Sequence, residues 1–259
     1  MSLPAVPESF RWTDESWGAA LRCVPMEGFA PHLFSSRQLT LTGPANSPEL
    51  AAAVGADRVA MVTQVHGRRV AVIRDADDVP AVSTEADALM SIAPGIAVAV
   101  RAADCVPLLM ADPVTGAVAA VHAGWRGTAA GIARETVEAL QREFGVKPEN
   151  LLAAIGPSIA SCCYEVGSDL VDAFAAAGHE RHLITRWFAT PPPPRGSRQR
   201  PALRLDVAGA NRDQLVLAGV PESHVFLSDL CTAMHLDVLT SYRVEKEKAG
   251  RIAGVIARP

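Results

Sequence analysis

The chain has 259 residues, 49% of them hydrophobic and 20% charged, and a formal net charge of −4 at pH 7. Its length and apolar content allow a large buried core in one or two domains. The slight acidity argues against a surface that binds nucleic acid or an anionic membrane.

The composition also predicts where the protein works. No run of 18 apolar residues predicts a membrane span, and the start, MSLPAVPESFRW, lacks the basic and apolar regions of a secretory signal. The five cysteines are odd in number and irregularly spaced, which favours a reducing compartment over a disulfide framework. We therefore expect a cytoplasmic protein, a monomer or weak dimer, with no nucleic-acid or membrane partner.

Short apolar runs rich in β-branched residues, bounded by Gly, Pro or Asp, predict strands in the first half of the chain. These runs are RVAMVTQV (58–65), RRVAVI (68–73), GIAVAV (95–100), VPLLMA (106–111) and GAVAAV (116–121). Three helices are predicted further on from helical spacing, an Asp start signal or closing glycines: 128–145, 167–178 and 206–219. The order of elements favours one α+β domain over residues 1–259 with mixed sheets, and the proline-rich segment 190–201 predicts a surface loop.

The stretch MVTQVHGRRVAVI looks like two strands joined tightly at His66-Gly67. That arrangement would place His66 at the apex of a hairpin. An isolated histidine at such an apex is usually only solvated, so His66 becomes informative only if other ligands lie near it.

The next two strands frame a cysteine and a histidine. If the turn DPVT joins VPLLMA to GAVAAV with Ala111 opposite Gly116, then Cys105 lies opposite His122. Directly opposed residues of an antiparallel pair have Cβ atoms about 4.5–5.5 Å apart on one face of the sheet. Pro107 implies that the first strand is an edge or is bulged there.

Three interpretations fit a thiol beside an imidazole. The pair could bind zinc, for which Zn–S and Zn–N bonds are about 2.3 and 2.0 Å. The histidine could instead activate a cysteine nucleophile, or the pair could simply be buried and hydrogen-bonded. With His66 the set becomes His₂Cys, three ligands that leave one position open, as in catalytic zinc sites.

Several motifs carry a family resemblance. The segments TQVHG, EADALMS, AADCVPLLMADP, VHAGWRGT, IGPSIASCCYEVG and a late SYR…GRIAGVI resemble the YfiH-like family. Its members are also called laccase-domain or polyphenol-oxidase proteins and are described as purine nucleoside phosphorylases. The resemblance runs from about residue 30 to the C-terminus. It implies a layered α/β/β/α sandwich with mixed, largely antiparallel sheets.

The resemblance also implies a chemistry. The zinc ligands of the family map onto His66, Cys105 and His122. Family members cleave adenosine, inosine and methylthioadenosine with phosphate and deaminate adenosine, so the expected substrates here are a purine nucleoside and phosphate. One segment departs from the family: FSSRQLTLTG keeps Phe34, Ser35 and Arg37 but lacks the usual Gly-Gly turn, which affects any role in closing a nucleoside pocket.

Further residues are candidates for substrate contacts. Arg126 and Arg37 are expected to bind the anion and act in catalysis beside Cys105 and His122. Ser35 and a loop at Gly156 and Ser158 are candidates for substrate binding. Two neighbouring features have a structural interpretation. Asp104 is expected to serve as a hydrogen-bonding residue, and the adjacent Cys162 and Cys163 as packing residues.

Other functions remain open at this point. Cu²⁺ could bind the same His₂Cys site as in a polyphenol oxidase, but seven histidines with no His-x-His pair cannot hold a trinuclear copper cluster. A metal-free hydrolase or amidase could use Cys105 and His122 directly, since fold relatives include deamidating toxins with a Cys/His pair and some members are linked to editing of peptidoglycan precursors. A non-catalytic zinc module is the third alternative.

Overall fold

The computed structural model describes residues 3–39, 41, 47–190 and 202–259. Except for residue 190, the loop predicted at 190–201 lies outside these residues. The strands are β1 (Phe10–Glu15), β2 (Gly18–Cys23), β3 (His32–Ser35), β4 (Arg58–Ala60), β5 (Val70–Ile73), β6 (Ala88–Ser91), β7 (Ile96–Ala102), β8 (Val106–Ala111), β9 (Val118–Ala123), β10 (Leu152–Ile155), β11 (Phe188–Ala189), β12 (Arg204–Leu205), β13 (Val225–Leu227) and β14 (Ile252–Ala257). The helices are α1 (Pro48–Ala53), α2 (Trp125–Ala129), α3 (Ile132–Phe144), α4 (Ser168–Ala176), α5 (Arg181–Trp187), α6 (Val207–Leu217) and α7 (Tyr242–Glu245).

Most strands form two six-stranded sheets. The first has the order β1-β2-β3-β14-β7-β4 and the second the order β13-β10-β8-β9-β6-β5, while β11 and β12 form a separate pair. Three neighbouring pairs are parallel, β4 with β7, β5 with β6 and β10 with β13. The others in the two large sheets are antiparallel, so the prediction of mixed, largely antiparallel sheets is confirmed.

Three apolar clusters define the layers. The cluster between the two sheets includes Leu109 of the second sheet and Val100 of the first. A second cluster joins the outer face of the second sheet to α3, α4, α5 and α6, and a third joins the outer face of the first sheet to α1. Helices therefore cover both outer faces, and the expected α/β/β/α sandwich is confirmed.

Local signals predicted several elements closely. The run VPLLMA is β8, with the predicted bounds, and the helix predicted from Asp206 is α6, whose first turn donates the Gly209 N–H to the Asp206 carboxylate at 2.9 Å. The helix predicted over 128–145 is wrong as one element. It divides into α2 and α3 because Gly131 adopts a left-handed conformation with φ +81°.

The strand order brings three chain segments to one edge of the second sheet. Because β8 and β6 both run antiparallel to β9, the start of β8, the end of β9 and the start of β6 lie together. Among the residues that the structure describes, no helix is long and apolar enough to cross a bilayer.

Candidate metal centre

His66 lies on a crossing between the two sheets. The strand before it, β4, belongs to the first sheet and pairs with β7, whereas β5 belongs to the second sheet and pairs with β6. The predicted hairpin at His66-Gly67 is therefore wrong. His66 has φ +60°, and the backbone N–H groups of Val65, His66 and Gly67 all donate to the carboxylate of Asp87, at 3.3, 2.8 and 2.7 Å. This carboxylate fixes the turn that presents the imidazole.

Cys105 and His122 come together in a register that differs from the predicted one. Ala111 pairs with Val118 rather than Gly116, so His122 lies opposite Pro107. The slip is two residues, and because side chains alternate with period two it leaves His122 on the same face of the sheet. Cys105 lies just before β8, after Asp104 with φ +86°, and its thiol still reaches the imidazole.

Pro107 also sits differently from the prediction. It is neither at a sheet edge nor marked by a bulge, since β8 lies between β9 and β10. Pro107 is the second residue of β8, beyond the last registered pair with β10, and its carbonyl accepts the Gly156 N–H at 2.9 Å. At the start of a strand the missing N–H of a proline removes little pairing.

The three predicted ligands converge. One ligand atom from each of His66, Cys105 and His122 lies within 4.8 Å of the other two, and the imidazole rings meet edge-on at a centroid distance of 4.8 Å. His122 is buried, Cys105 is half-buried and His66 is exposed, so the group opens toward solvent on one side. Gly124 lies against it. A Cβ on this glycine would approach the Cys105 Sγ to 2.9 Å and the His66 ring to 3.0 Å.

Asp87 positions two of the three candidate ligands through hydrogen bonds. Besides holding the turn at His66, its Oδ1 accepts a hydrogen bond from Nδ1 of His122 at 2.9 Å. The Nε2 atom of His122 is thereby left as the free ligand nitrogen. A carboxylate that orients a ligating histidine is the usual outer partner in metal sites. Burial alone would raise the pKa of Asp87, but the hydrogen bonds from His122 and the backbone lower it.

The electrostatics favour a thiolate. Burial opposes ionisation of Cys105, yet hydrogen bonds with His122 and His66 outweigh it and lower the pKa of the thiol to about 6. Burial likewise opposes a charge on His122, while hydrogen bonds to Asp87 and Cys105 raise its pKa to about 9. A thiolate is the form in which cysteine binds a metal or attacks an electrophile.

A cavity of about 770 Å³ opens above this group. Its wall contains His66, Cys105 and His122, two tyrosines, Tyr164 and Tyr242, and four cationic side chains, Arg101, Arg243, Lys246 and Arg251. The volume is in the range typical of small-molecule sites. A cationic wall around a soft ligand group suits a substrate that carries negative charge.

The cationic wall was missed by the sequence predictions. Arg101 ends up beside Arg251 because β14 pairs with β7, with Ile252 opposite Ala102. The pKa of Arg101 is lowered, mainly by burial and in addition by the charge of Arg251. The sequence did contain a signal for these cationic residues, because Arg243 and Arg251 belong to the late motif SYR…GRIAGVI.

The two arginines that the sequence singled out, Arg37 and Arg126, each have a side-chain partner in the structure. Arg37 pairs with Glu245 at 2.9 Å and donates to the carbonyls of Leu236 and Leu239. These contacts tie it to the end of α7, the helix that supplies Tyr242 and Arg243 to the cavity wall. Arg126 stacks over Trp125, with its guanidinium carbon 4.3 Å from the ring centroid, and its charge acts on Tyr164 of the cavity wall. Their roles in anion binding and catalysis therefore stay predictions.

The predicted substrate-binding residues have other surroundings. Ser35 is buried in β3, and its hydroxyl accepts the Ala253 N–H at 2.8 Å. Gly156 and Ser158 line a separate cavity of about 220 Å³. Glycine is needed at 156 because a Cβ there would collide with the Phe34 ring. These three residues do not line the larger cavity, and their role in substrate binding stays a prediction.

Asp104 has the structural surroundings expected for it. Its two carboxylate oxygens accept hydrogen bonds from the Thr232 hydroxyl and the Arg243 N–H, both at 2.6 Å. With both oxygens engaged, this side chain ties the segments of Thr232 and Arg243 to the turn before Cys105.

The fold and the ligand group define a class of protein: a two-sheet α/β/β/α sandwich with a His₂Cys group at the floor of a cationic cavity. The sequence profile of the family described as multi-copper polyphenol oxidoreductase laccase matches residues 42–259. The chain belongs to this family.

Named relatives agree with the family assignment. The purine nucleoside phosphorylase YlmD of Geobacillus stearothermophilus is 30% identical, over 98% of this chain and 98% of its own length. The adenosine deaminase RL5 from an unidentified prokaryote is 38% identical, over 69% of this chain and 67% of its own length. The crystal structure of the YfiH protein of Bacillus licheniformis superposes with a TM-score of 0.79 at 25% identity, covering 98% of this chain and all of that one. The resemblance inferred from the motifs is confirmed.

Proposed function

We propose that this chain is a zinc-dependent purine nucleoside phosphorylase that acts on adenosine, inosine and methylthioadenosine and also deaminates adenosine. The observation that supports it most is the meeting of His66, Cys105 and His122 at the floor of a cavity with a cationic wall. The names of the two relatives described above, a purine nucleoside phosphorylase and an adenosine deaminase, support the same reaction classes.

The donor set fits zinc. Two imidazoles and one thiolate are typical zinc ligands, and within the described part of the chain no fourth His, Cys, Asp or Glu ligand atom joins the group. That count matches catalytic sites better than closed structural ones, which makes a purely structural zinc module the weaker alternative. When bound, zinc would supply Lewis acidity at the floor of the cavity.

Residues of the cavity wall are suited to binding the phosphate. In phosphorolysis a phosphate oxygen replaces the purine at the anomeric carbon of the sugar, so the phosphate must be held beside the glycosidic bond. Arg101 suits this role because it is half-buried next to Arg251, and a phosphate between the two guanidinium groups would offset their repulsion. The Gln64 side chain fixes this position by accepting the Arg101 N–H at 2.9 Å and donating to its carbonyl at 2.8 Å.

The test follows products with and without phosphate. Metal-loaded protein is incubated with each nucleoside, and free base, ribose 1-phosphate (or its methylthio counterpart) and inosine are measured. We expect phosphate-dependent base release that a His122→Ala variant lacks, and inosine from adenosine without phosphate. We also expect Arg101→Met to raise KM for phosphate about tenfold or more, in line with the loss of a charge-assisted contact, while Arg134→Met, at an exposed helical pair, leaves it unchanged. Activity in the wild type no higher than in His122→Ala would refute the proposal.

The identity of the metal needs a separate measurement. The family description names copper, and Cu²⁺ binds nitrogen and sulfur sites more tightly than Zn²⁺. Elemental analysis of protein purified without a chelator or an affinity tag, with and without Cys105→Ser, distinguishes the two ions. We expect zinc in the wild type and a marked loss in the variant. Copper in place of zinc would favour the oxidoreductase alternative.

A second candidate is a metal-free hydrolase or amidase in which Cys105 attacks and His122 acts as the base. The lowered pKa of Cys105 and the Asp87–His122 hydrogen bond support it, because a carboxylate behind the base is common in such sites. His66→Ala separates the two functions: it should abolish the zinc mechanism and leave a dyad working. Iodoacetamide labelling of Cys105 that chelators do not change would favour the dyad.

A further inference from the structure

A second group of possible metal ligands, made up of three cysteines, lies outside the proposed active site. Ligand atoms of Cys162, Cys163 and Cys231 lie within 4.8 Å of one another, and the Sγ atoms of Cys162 and Cys163 are 3.4 Å apart. All three are free thiols in the structure. The sequence predicted packing for Cys162 and Cys163 as an isolated pair. It gave no sign that Cys231, 68 positions further along, completes a triad.

The triad is held by backbone contacts. Cys231 forms a parallel bridge with Ser158, and the Ala160 N–H donates to its Sγ at 3.4 Å. Cys162 and Cys163 follow on the turn that this bridge anchors, and the Cys163 N–H donates to the Ala160 carbonyl at 2.9 Å. The three sulfur atoms are thus brought together by the fold.

A packing role accounts for only part of this arrangement. Cys231 is buried and Cys163 is half-buried against the core of the helical layer, but Cys162 is exposed. A side chain that served packing alone would gain little from lying at the surface beside two thiols. The arrangement instead leaves the sulfur atoms accessible from solvent on the side of Cys162.

From these contacts we propose that Cys162, Cys163 and Cys231 form an all-sulfur site for a soft, thiophilic cation such as Cu(I). Soft thiolates select such ions over hard ones. Three sulfur ligands and, among the described residues, no fourth His, Cys, Asp or Glu ligand suit a trigonal ion better than Zn²⁺, which takes four ligands in closed sites. This site is independent of the proposed nucleoside chemistry.

A cation bound at this site must displace thiol protons. Burial and the neighbouring thiols raise the pKa of Cys163 to about 12, since a lone thiolate there lies in an apolar wall beside two sulfur atoms. A cation removes this penalty by displacing the protons. Three thiolates with one monovalent ion carry two negative charges, and Arg204, which donates to the carbonyls of Cys162 and Ser161, lies close enough to offset part of them.

The experiment measures Cu(I) binding in a background without the first ligand group. The His66→Ala/Cys105→Ser variant, kept reduced and anaerobic, is titrated against a chromophoric Cu(I) chelator. We expect one tightly bound Cu(I) per chain, with only sulfur neighbours in X-ray absorption. Adding Cys162→Ser, an exposed change with little risk to folding, should weaken binding at least tenfold. Adding Ser161→Ala at the neighbouring exposed position should not change it.

Three outcomes would overturn the proposal. The first is no Cu(I) bound by the His66→Ala/Cys105→Ser background, shown to be folded by circular dichroism. The second is binding that Cys162→Ser and Cys163→Ser both leave unchanged. The third is tighter binding of Zn²⁺ than of Cu(I), which would remove the preference for a soft ion. Nucleoside turnover enters none of these results, so failure of the proposed phosphorylase function would leave this test intact.

Discussion

The chain places a cysteine beside a histidine in two separate regions, Cys105 with His122 and Cys23 with His32, and their electrostatics are opposite. At the first, the pKa of the thiol is lowered to about 6 and that of the imidazole raised to about 9. At the second, burial raises the pKa of the Cys23 thiol to about 12 and lowers that of His32. The same two residue types form a charged pair in one region and a neutral pair in the other.

The neighbouring groups account for the difference. His32 is held by uncharged backbone: its Nδ1 donates to the Ala30 carbonyl at 2.7 Å, and its Nε2 accepts the Cys23 N–H at 2.9 Å. Its contact with Cys23 is thus to the backbone, and both ring nitrogens are occupied. His122 instead donates to the Asp87 carboxylate, which leaves its other nitrogen for the thiol or a metal. The carboxylate, rather than the Cys/His pairing, distinguishes a ligand site from a structural contact.

The largest effect should come from removing the thiol of Cys105, with removal of the Cys23 thiol as the matched control. Cys105→Ser replaces a thiolate ligand with a neutral hydroxyl, so we expect zinc affinity to fall more than about 100-fold, beyond what outer-partner changes cause. Cys23→Ser should leave zinc affinity and stoichiometry unchanged. Competition with a chromophoric zinc chelator measures both variants. Equal affinities in the two would show that the first region is not a metal site.

Changing the Asp87 carboxylate tests directly whether it accounts for the difference between the Cys105–His122 and Cys23–His32 regions. Asp87→Asn keeps the size of the side chain but removes the charge beside His122 and weakens the acceptor for three backbone N–H groups. We expect a 10- to 100-fold loss of zinc affinity or turnover, about the cost of losing an outer partner. Glu85→Gln, an exposed change two residues away, is the matched control. An unchanged affinity in Asp87→Asn would show that the carboxylate matters only for folding.

A smaller effect should follow from filling the space beside the ligands. Gly124 has φ −73°, which any residue can adopt, so Gly124→Ala introduces no backbone strain. Its Cβ would press on the Cys105 sulfur and the His66 ring. We expect zinc affinity to fall by about tenfold with little change in stability, since a displacement of a few tenths of an ångström disturbs ligand geometry. Gly28→Ala, where a Cβ meets nothing within 4 Å, should change neither quantity.

Local patterns predicted the elements, and long-range pairing explains the errors. The apolar run bounded by turn residues identified β8, and the opening Asp206 with the closing Gly219 identified α6, with nearly the observed bounds. They could not fix how β8 pairs with β9, because 112–117 admits two turn lengths and the flanking run is apolar on both faces. Whether His66 joins a hairpin or crosses between sheets depends on the distant partners β6 and β7, which no local signal names.

The candidate site likewise contains residues that local motifs indicate and residues that only long-range strand pairing brings together. Its three candidate ligands, which the structure brings together, stand in short, specific motifs that the family resemblance maps. The cationic wall was not predicted, since Arg101 and Arg251 are 150 positions apart and meet only through the pairing of β7 with β14. Arg37 and Arg126 were chosen for their closeness to motifs along the chain. Closeness along the chain does not predict their side-chain partners, which are Glu245 for Arg37 and Trp125 for Arg126.

The smallest effect should appear in the neutral pair of Cys23 and His32, as a dependence of the free energy of unfolding on pH. Because the folded pKa of His32 is lowered from 6.5, the unfolded chain takes up a proton below pH 6.5 while the folded chain does not. The contribution of His32 is therefore present above pH 6.5 and is lost as pH falls toward the folded pKa, at no more than about 1.4 kcal/mol per pH unit for one proton. Urea unfolding between pH 7.5 and 5 measures this slope. His32→Gln, which keeps an acceptor for the Cys23 N–H and cannot titrate, should show a shallower one. Equal slopes would mean that His32 does not stay neutral in the folded chain.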